Sequence, residues 1–192
     1  MKVRILFLIC FLSITCLLNA ADKPVIQIHT DNSSLIFRVA DNGRLYQSYL
    51  GKKLNHEADI SHLPQGTEAY ITHGMEDYFE PAIHILHNDG NPSLLLKYVS
   101  HETKAVSQGV NETIITLGDD KYPVTVKLHY VTYPAEDIIK TYTEISHKEK
   151  KPVVLHQYAS SMLHLNRAKY YLTEFSGDWA HEANISDQPL EF

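Results

Sequence analysis

The residues of this chain that could do chemistry are its histidines, its acid pairs and one tryptophan. Twelve histidines in 192 residues invite a metal-site reading. The tightest spacing, His84 and His87, would suit one face of a helix. Their segment, Ile83 to His87, reads as a strand instead, where residues three apart point to opposite faces. No cysteine pattern and no His-Glu-x-x-His spacing supports zinc, so the sequence assigns no metal and no cofactor. Adjacent acids occur at Glu76-Asp77, Asp119-Asp120 and Glu136-Asp137. Cleavage of a glycosidic bond needs two carboxylates facing one another across about 5–10 Å. Neighbours on a strand point apart, and Asp is in any case expected in turns. Ser160-Ser161 lacks the Gly-x-Ser-x-Gly elbow of a nucleophilic serine. No residue is therefore assigned a catalytic role.

Gly177-Asp178-Trp179 stands apart. The only tryptophan follows a Gly-Asp turn and does not lie within a strand. A loop Trp can line a sugar site, because the apolar face of a pyranose packs on an aromatic ring. It can equally plug the end of a sheet sandwich, and residue pattern alone favours that packing role.

The elements that must carry these residues read as strands. Val124-Thr125-Val126-Lys127-Leu128-His129-Tyr130 alternates strictly, with Val124, Val126, Leu128 and Tyr130 on one face. Further strands are expected at Val25–His29, Leu35–Val39, Leu45–Leu50, Ile83–His87, Leu94–Val99, Thr113–Leu117, Ile139–Ser146, Val153–Tyr158 and Tyr170–Phe175. Twelve tyrosines and many β-branched residues suit half-buried strands. Turn residues fall between the runs, at Asp41-Asn42-Gly43, Asn88-Asp89-Gly90-Asn91-Pro92 and Gly118-Asp119-Asp120. Strands joined by short polar turns, without helices, imply an all-β antiparallel sandwich. Residues 56 to 74, with Pro64 and Gly66, read as one long loop. Gln188-Pro189-Leu190-Glu191-Phe192 offers no capping strand or helix.

Residues 1–20 differ in kind. Lys2 and Arg4 precede an apolar run from Ile5 to Leu18, broken only by Ser13 and Thr15, and Leu18-Asn19-Ala20 ends in a small residue. This is the layout of a secretory signal peptide, with an apolar core short for a membrane span; an uncleaved anchor is the alternative. Thr15 and Ile14 fit poorly before a lipidated Cys16. Residues 21–192 would then be the mature domain, periplasmic or secreted, without a stable membrane span. Both cysteines, Cys10 and Cys16, would leave with the signal, so no disulfide is expected. Loss of Lys2 and Arg4 moves the formal charge from −6 to −8. An acidic surface without a basic patch argues against nucleic acid as a partner.

Four ordered segments resemble the N-terminal domain of glycoside hydrolase family 36 α-galactosidases. They are Gly74-Met75-Glu76-Asp77-Tyr78-Phe79-Glu80-Pro81-Ala82 with Asn88-Asp89-Gly90, Leu96-Lys97-Tyr98 and His101; Val126 to Tyr130 with Tyr133-Pro134 and Asp137-Ile138-Ile139; His156 to Met162; and Tyr171-Leu172-Thr173 with Gly177 to Glu182. The resemblance implies a β-supersandwich, here incomplete, that precedes a (β/α)₈ barrel. It also implies retaining hydrolysis of terminal α-galactosides by two Asp residues, which belong to barrel motifs absent from these 192 residues. On that reading the chain is a truncated N-terminal domain, inactive alone, that meets α-galactoside sugar only together with a barrel. Trp179 matches the family's loop Trp that reaches over the galactose pocket, and this reverses the packing preference. Asp77 matches the acid of a Gly-x-x-Asp-aromatic pattern, although Phe79 stands where many members carry Arg. Asp59 lies where some members add a pocket Asp, but its surroundings do not match and the role is not transferred. Homo-oligomerisation is left open. The competing reading, from another class, is a free-standing secreted module that binds carbohydrate or a partner.

Overall fold

The computed structural model describes residues 23–75, 79–165 and 170–190. The expected signal peptide lies outside them. Four antiparallel sheets are built from β1 (Val25–His29), β2 (Ser33–Val39), β3 (Leu45–Lys52), β4 (Thr67–Glu68), β5 (Ile83–Leu86), β6 (Lys97–Ser107), β7 (Val110–Gly118), β8 (Val124–Tyr133), β9 (Ile138–His147), β10 (Val154–Tyr158), β11 (Tyr170–Asp178) and β12 (His181–Leu190). One four-stranded sheet runs β1-β2-β3-β4 and another β6-β7-β8-β9, while β5 pairs with β10 and β11 with β12. The expected all-β class holds, and among the described residues no sheet closes into a barrel.

The alternation of β8 is the clearest link from sequence to packing. Val124, Val126, Leu128 and Tyr130 are all buried, on the face that period 2 assigns them. Register places Ile115 and Leu117 of β7 beside Leu128 and Val126. Across the core lie Ile26 and Ile28 of β1 and Leu35 and Phe37 of β2. The Phe37 and Tyr130 rings meet at 5.1 Å between centroids, joining the two large sheets. Ile83 and Ile85 of β5, with Leu94 and Leu96, belong to the same cluster.

Two expectations are corrected. The stretch from 56 to 74 is not one loop. It holds a short helix α1 (Glu57–Ser61) with Ile60 buried, then β4, then the buried run Ala69-Tyr70-Ile71-Thr72. Lacking any period, these residues give no local signal, and tertiary contacts order them. Arg44 clasps Glu68 of β4 with both guanidinium arms, and Gly66 makes the approach possible. Its φ is +82°, and a Cβ there would lie 1.9 Å from the Gln47 carbonyl oxygen, so only glycine fits. The second correction is at the C-terminal end. His181 to Leu190 is a ten-residue strand, β12, although its polar composition and Pro189 conceal it. It forms because β11 supplies its hydrogen bonds; Pro189 is tolerated on a ribbon that has no further neighbour. The strand expected at Leu94–Val99 also moves, since β6 begins at Lys97 while Leu94 and Leu96 plug the core without pairing.

The path to β11 is pinned by side chains. Buried Gln47 donates from Nε2 to the His164 carbonyl at 2.8 Å and accepts from the His164 amide at 3.2 Å. Tyr70 donates to the Ala159 carbonyl at 2.8 Å, and the Ala159 amide donates to Ala82 at 2.7 Å. Residues 159–165 are thereby fastened across β3, β4 and β5.

Phe37→Ala should cost about 3–5 kcal/mol, since it empties the joint between the sheets. Phe175→Ala, on the outer ribbon, should stay within about 0.5 kcal/mol. Urea melts of both variants check this; equal losses would place the core elsewhere.

Candidate functional site: an outlying hairpin with Trp179 at its tip

From Tyr170 to Leu190 the chain forms a ribbon of β11 and β12 that, among the described residues, pair only with each other. Tyr170 opposes Leu190 at the base, and pairing continues to Ser176 opposite Asn184. A bulge follows, in which Glu182 and Ala183 of β12 face the single Gly177 of β11, and this twists the ribbon near its end. Asp178 Oδ1 accepts from the Trp179 amide at 2.7 Å, and Ala180, with φ of 65°, completes the turn. Nine residues of strand set the tip roughly 30 Å from the base.

Trp179 is 92% exposed, so its ring does not plug the sandwich. Tyr171, Phe175 and Ile185 are also exposed. Pairing of Tyr171 with Pro189 and of Phe175 with Ile185 sets Tyr171, Phe175 and Ile185 on one face of the ribbon, with Trp179 in the turn beyond it. At the base, Leu190 shares a groove of about 500 Å³ with Phe79, Glu80, Ile71 and Met162 to Leu165. The hairpin root and Phe79-Glu80, which follow the Gly-x-x-Asp pattern in sequence, thus border one surface. Asp77 itself lies outside the described residues. Its flanks are tightly set: Gly74 has φ of 85° and would crowd Ser93 with any Cβ, and the Ala82 amide donates to Ile71 at 2.8 Å.

The described acid pairs serve as local braces. Asp119 accepts from the amides of Lys121, Tyr122 and Leu95 at 2.6–2.8 Å, while Asp120 pairs with Lys97. Asp137, held at φ of 57°, accepts from the Thr30 and Ser33 hydroxyls. These hydrogen bonds, that from Thr30 foremost, hold its carboxyl below the usual range. His84 and His87 do face opposite ways: His84 is partly exposed, and buried His87 pairs with Glu149 at 2.7 Å. Among the described residues, no three His, Cys, Asp or Glu side chains are placed to hold a metal, and no helix is long and apolar enough to cross a membrane.

Sequence reasoning missed one polar cluster, on the outer face of the β6–β9 sheet. Glu112 accepts from Tyr142 at 2.6 Å, contacts His129 Nδ1 at 2.9 Å and pairs with Lys104 at 2.9 Å. His129 and Tyr142 stack at 4.2 Å. Only the register, which sets these four strands side by side, brings the residues together. The Tyr142 hydroxyl, then Lys104 and His129, hold the Glu112 carboxyl down at about 2.

The chain matches the glycosyl hydrolase family 36 N-terminal domain over residues 42–192. It belongs to that family. Its fold is also that of solved α-galactosidases. The α-galactosidase of Lactobacillus brevis superposes with a TM-score of 0.75 at 21% identity, over 88% of this chain and 28% of that one. The galactosidase domain of the α-galactosidase-sucrose kinase AgaSK gives 0.78 at 21%, over 87% and 28%. The α-galactosidase AgaA of Geobacillus stearothermophilus gives 0.78 at 19%, over 88% and 28%. The family 36 chain described here thus spans about 28% of the length of these structures. Comparison with curated proteins gives no match.

A carboxyl at about 2 when folded and about 4.5 when unfolded adds stability that is complete above the unfolded value. That stability is lost as pH falls through the folded one. Melting temperature should therefore drop between about pH 4.5 and pH 2, and Glu112→Gln should flatten that limb while lowering stability at neutral pH. An unchanged acid limb in the variant would refute the assignment.

Proposed function

We propose that this chain acts as the N-terminal β-sandwich of a secreted α-galactosidase, meeting terminal α-galactosides together with a barrel domain. The family membership supports the domain assignment, and residues 1–20, with their charged start and apolar core, support secretion. The observation that carries the substrate reading is the position of Trp179. An exposed indole, at the end of a ribbon rooted beside the Gly-x-x-Asp loop, is free to cover a sugar bound on a neighbouring domain. The apolar face of the pyranose would stack on the ring, with Asp77 offering a carboxylate from the loop. Retaining hydrolysis requires two carboxylates facing each other about 5–5.5 Å apart, and the described acid pairs are engaged in turns and ion pairs. On this reading the two carboxylates belong to the barrel domain, and these 192 residues by themselves would not hydrolyse the bond. The apolar ribbon face of Tyr171, Phe175 and Ile185 would rest against the barrel or a second subunit.

One observation favours a second reading. Tyr171, Phe175 and Trp179 are exposed on one ribbon, and such a platform could hold carbohydrate without a barrel. Titration calorimetry of the chain with galactose and melibiose separates the two. Heat of binding that Trp179→Ala abolishes supports the free-standing module. No binding and no hydrolysis by the chain alone, with Trp179→Ala raising KM about tenfold in a barrel-containing protein, support the domain reading. An unchanged KM there would remove Trp179 from the substrate site.

A further inference from the structure

Three histidines meet on the outer side of the small β5–β10 sheet. His73 lies just beyond the bridge between Thr72 and Ile83, and its ring stacks on that of His84 at 3.7 Å between centroids and 21° between planes. The His156 ring lies 4.8 Å from that of His84, tilted by 36°. The third ring is delivered by a bulge. Leu155 pairs with Ile85 and Gln157 with His84, leaving His156 as the extra residue. Such an insertion re-aims a side chain. Rings stacked face to face keep their nitrogens in separate planes, so the lone pairs do not converge on one cation. What the arrangement responds to is charge. Neutral imidazoles stack well, whereas protons on adjacent rings set like charges within about 4–5 Å, and that repulsion is strong wherever water is partly excluded.

We propose that His73, His84 and His156 form an acid-sensitive clasp that holds the β5–β10 ribbon to the segment before Gly74 when neutral and loosens it when protonated. His84 is the centre. Burial, then the charges of His73 and of His156, lower its pKa below the usual histidine value. A histidine with a lowered folded pKa stabilises fully above its unfolded value, near 6.5, and loses that contribution as pH falls through the folded one. No described acid touches the rings. Glu80 reaches the ribbon only through Gln157, whose amide donates to it at 2.8 Å. His87 and Glu149 face the opposite side of β5, paired with each other. The bonds under load are His73 N–H to Ile83, Ala82 N–H to Ile71 and Ala159 N–H to Ala82.

Site-resolved hydrogen exchange on the full chain, corrected for intrinsic rates, tests this at about pH 7.5 and about pH 5, above the range where Glu112 titrates. The amides of His73, Ala82 and Ala159 should lose protection severalfold at the lower pH, while those of β7 and β8 hold theirs. His84→Phe, which keeps an aromatic ring without a titrating nitrogen, should abolish the loss. His156→Gln, at the exposed end, should reduce it, and decides the matter if His84→Phe folds poorly. No loss in the unsubstituted chain, or the same loss in the variants, overturns the clasp.

Discussion

Phe37 against Tyr130 is the joint on which the molecule depends, because it locks the β1–β4 sheet to the β6–β9 sheet. Each large sheet has one apolar face, and neither could stay in water alone. The contact also explains why register in β8 is strict. A slip of one residue would turn Val124, Val126, Leu128 and Tyr130 outward and bring Lys127 and His129 into the core. Burial of such aliphatic side chains contributes about 1.5–3 kcal/mol each, while bringing a lysine inward without a partner costs far more. The remaining strands take their places around this face.

From that core outward, order is passed by polar groups used singly. Gln47 is buried and spends its amide on both backbone groups of His164. Tyr70 and Ala159 hold the same segment farther back. Unpaired groups at such positions would each cost about 1–3 kcal/mol, so the crossing has one low-energy path. That path ends at the root of the β11–β12 ribbon. The strands of the ribbon themselves bury almost nothing, and two-stranded ribbons are marginal alone. An apolar face left in the open on such a ribbon is the usual mark of a surface that meets another domain or subunit.

Polar groups on the outer faces behave differently from those in the crossing. The Glu112 cluster and the three-histidine stack each join residues from separate segments, and Glu112 in the one and His84 in the other are held below their ordinary pKa. They respond to opposite ends of the acid range. Carboxylate pairing protects the β6–β9 sheet until the medium is strongly acidic, whereas the imidazole stack answers in milder acid, below the ordinary histidine value. The two sheets are thereby given different sensitivities by side chains that add little to the apolar core.

The sequence by itself determined the strand class, the inward face of β8, the turns at Gly43 and Gly90, and the opposed directions of His84 and His87. Each follows from alternation or turn chemistry within a few residues, which the backbone imposes locally. The family was legible in the order of four short segments, and the tryptophan was placed outside the strands, although Gly177 and Asp178, read as a turn before it, belong to β11. Only the tertiary structure decided that 56–74 contains a helix, a strand and buried Tyr70, and that the polar stretch 181–190 is a strand. The first takes its order from Gln47 and Arg44, some twenty residues away, and the second from its pairing with β11, which its own polar residues do not announce. The same limit hid the Glu112 cluster and the histidine stack, because register and one bulge bring their members together. Trp179 shows the division most plainly. Residue types placed it in a turn, but its exposure depends on a ribbon whose second strand has no local signature.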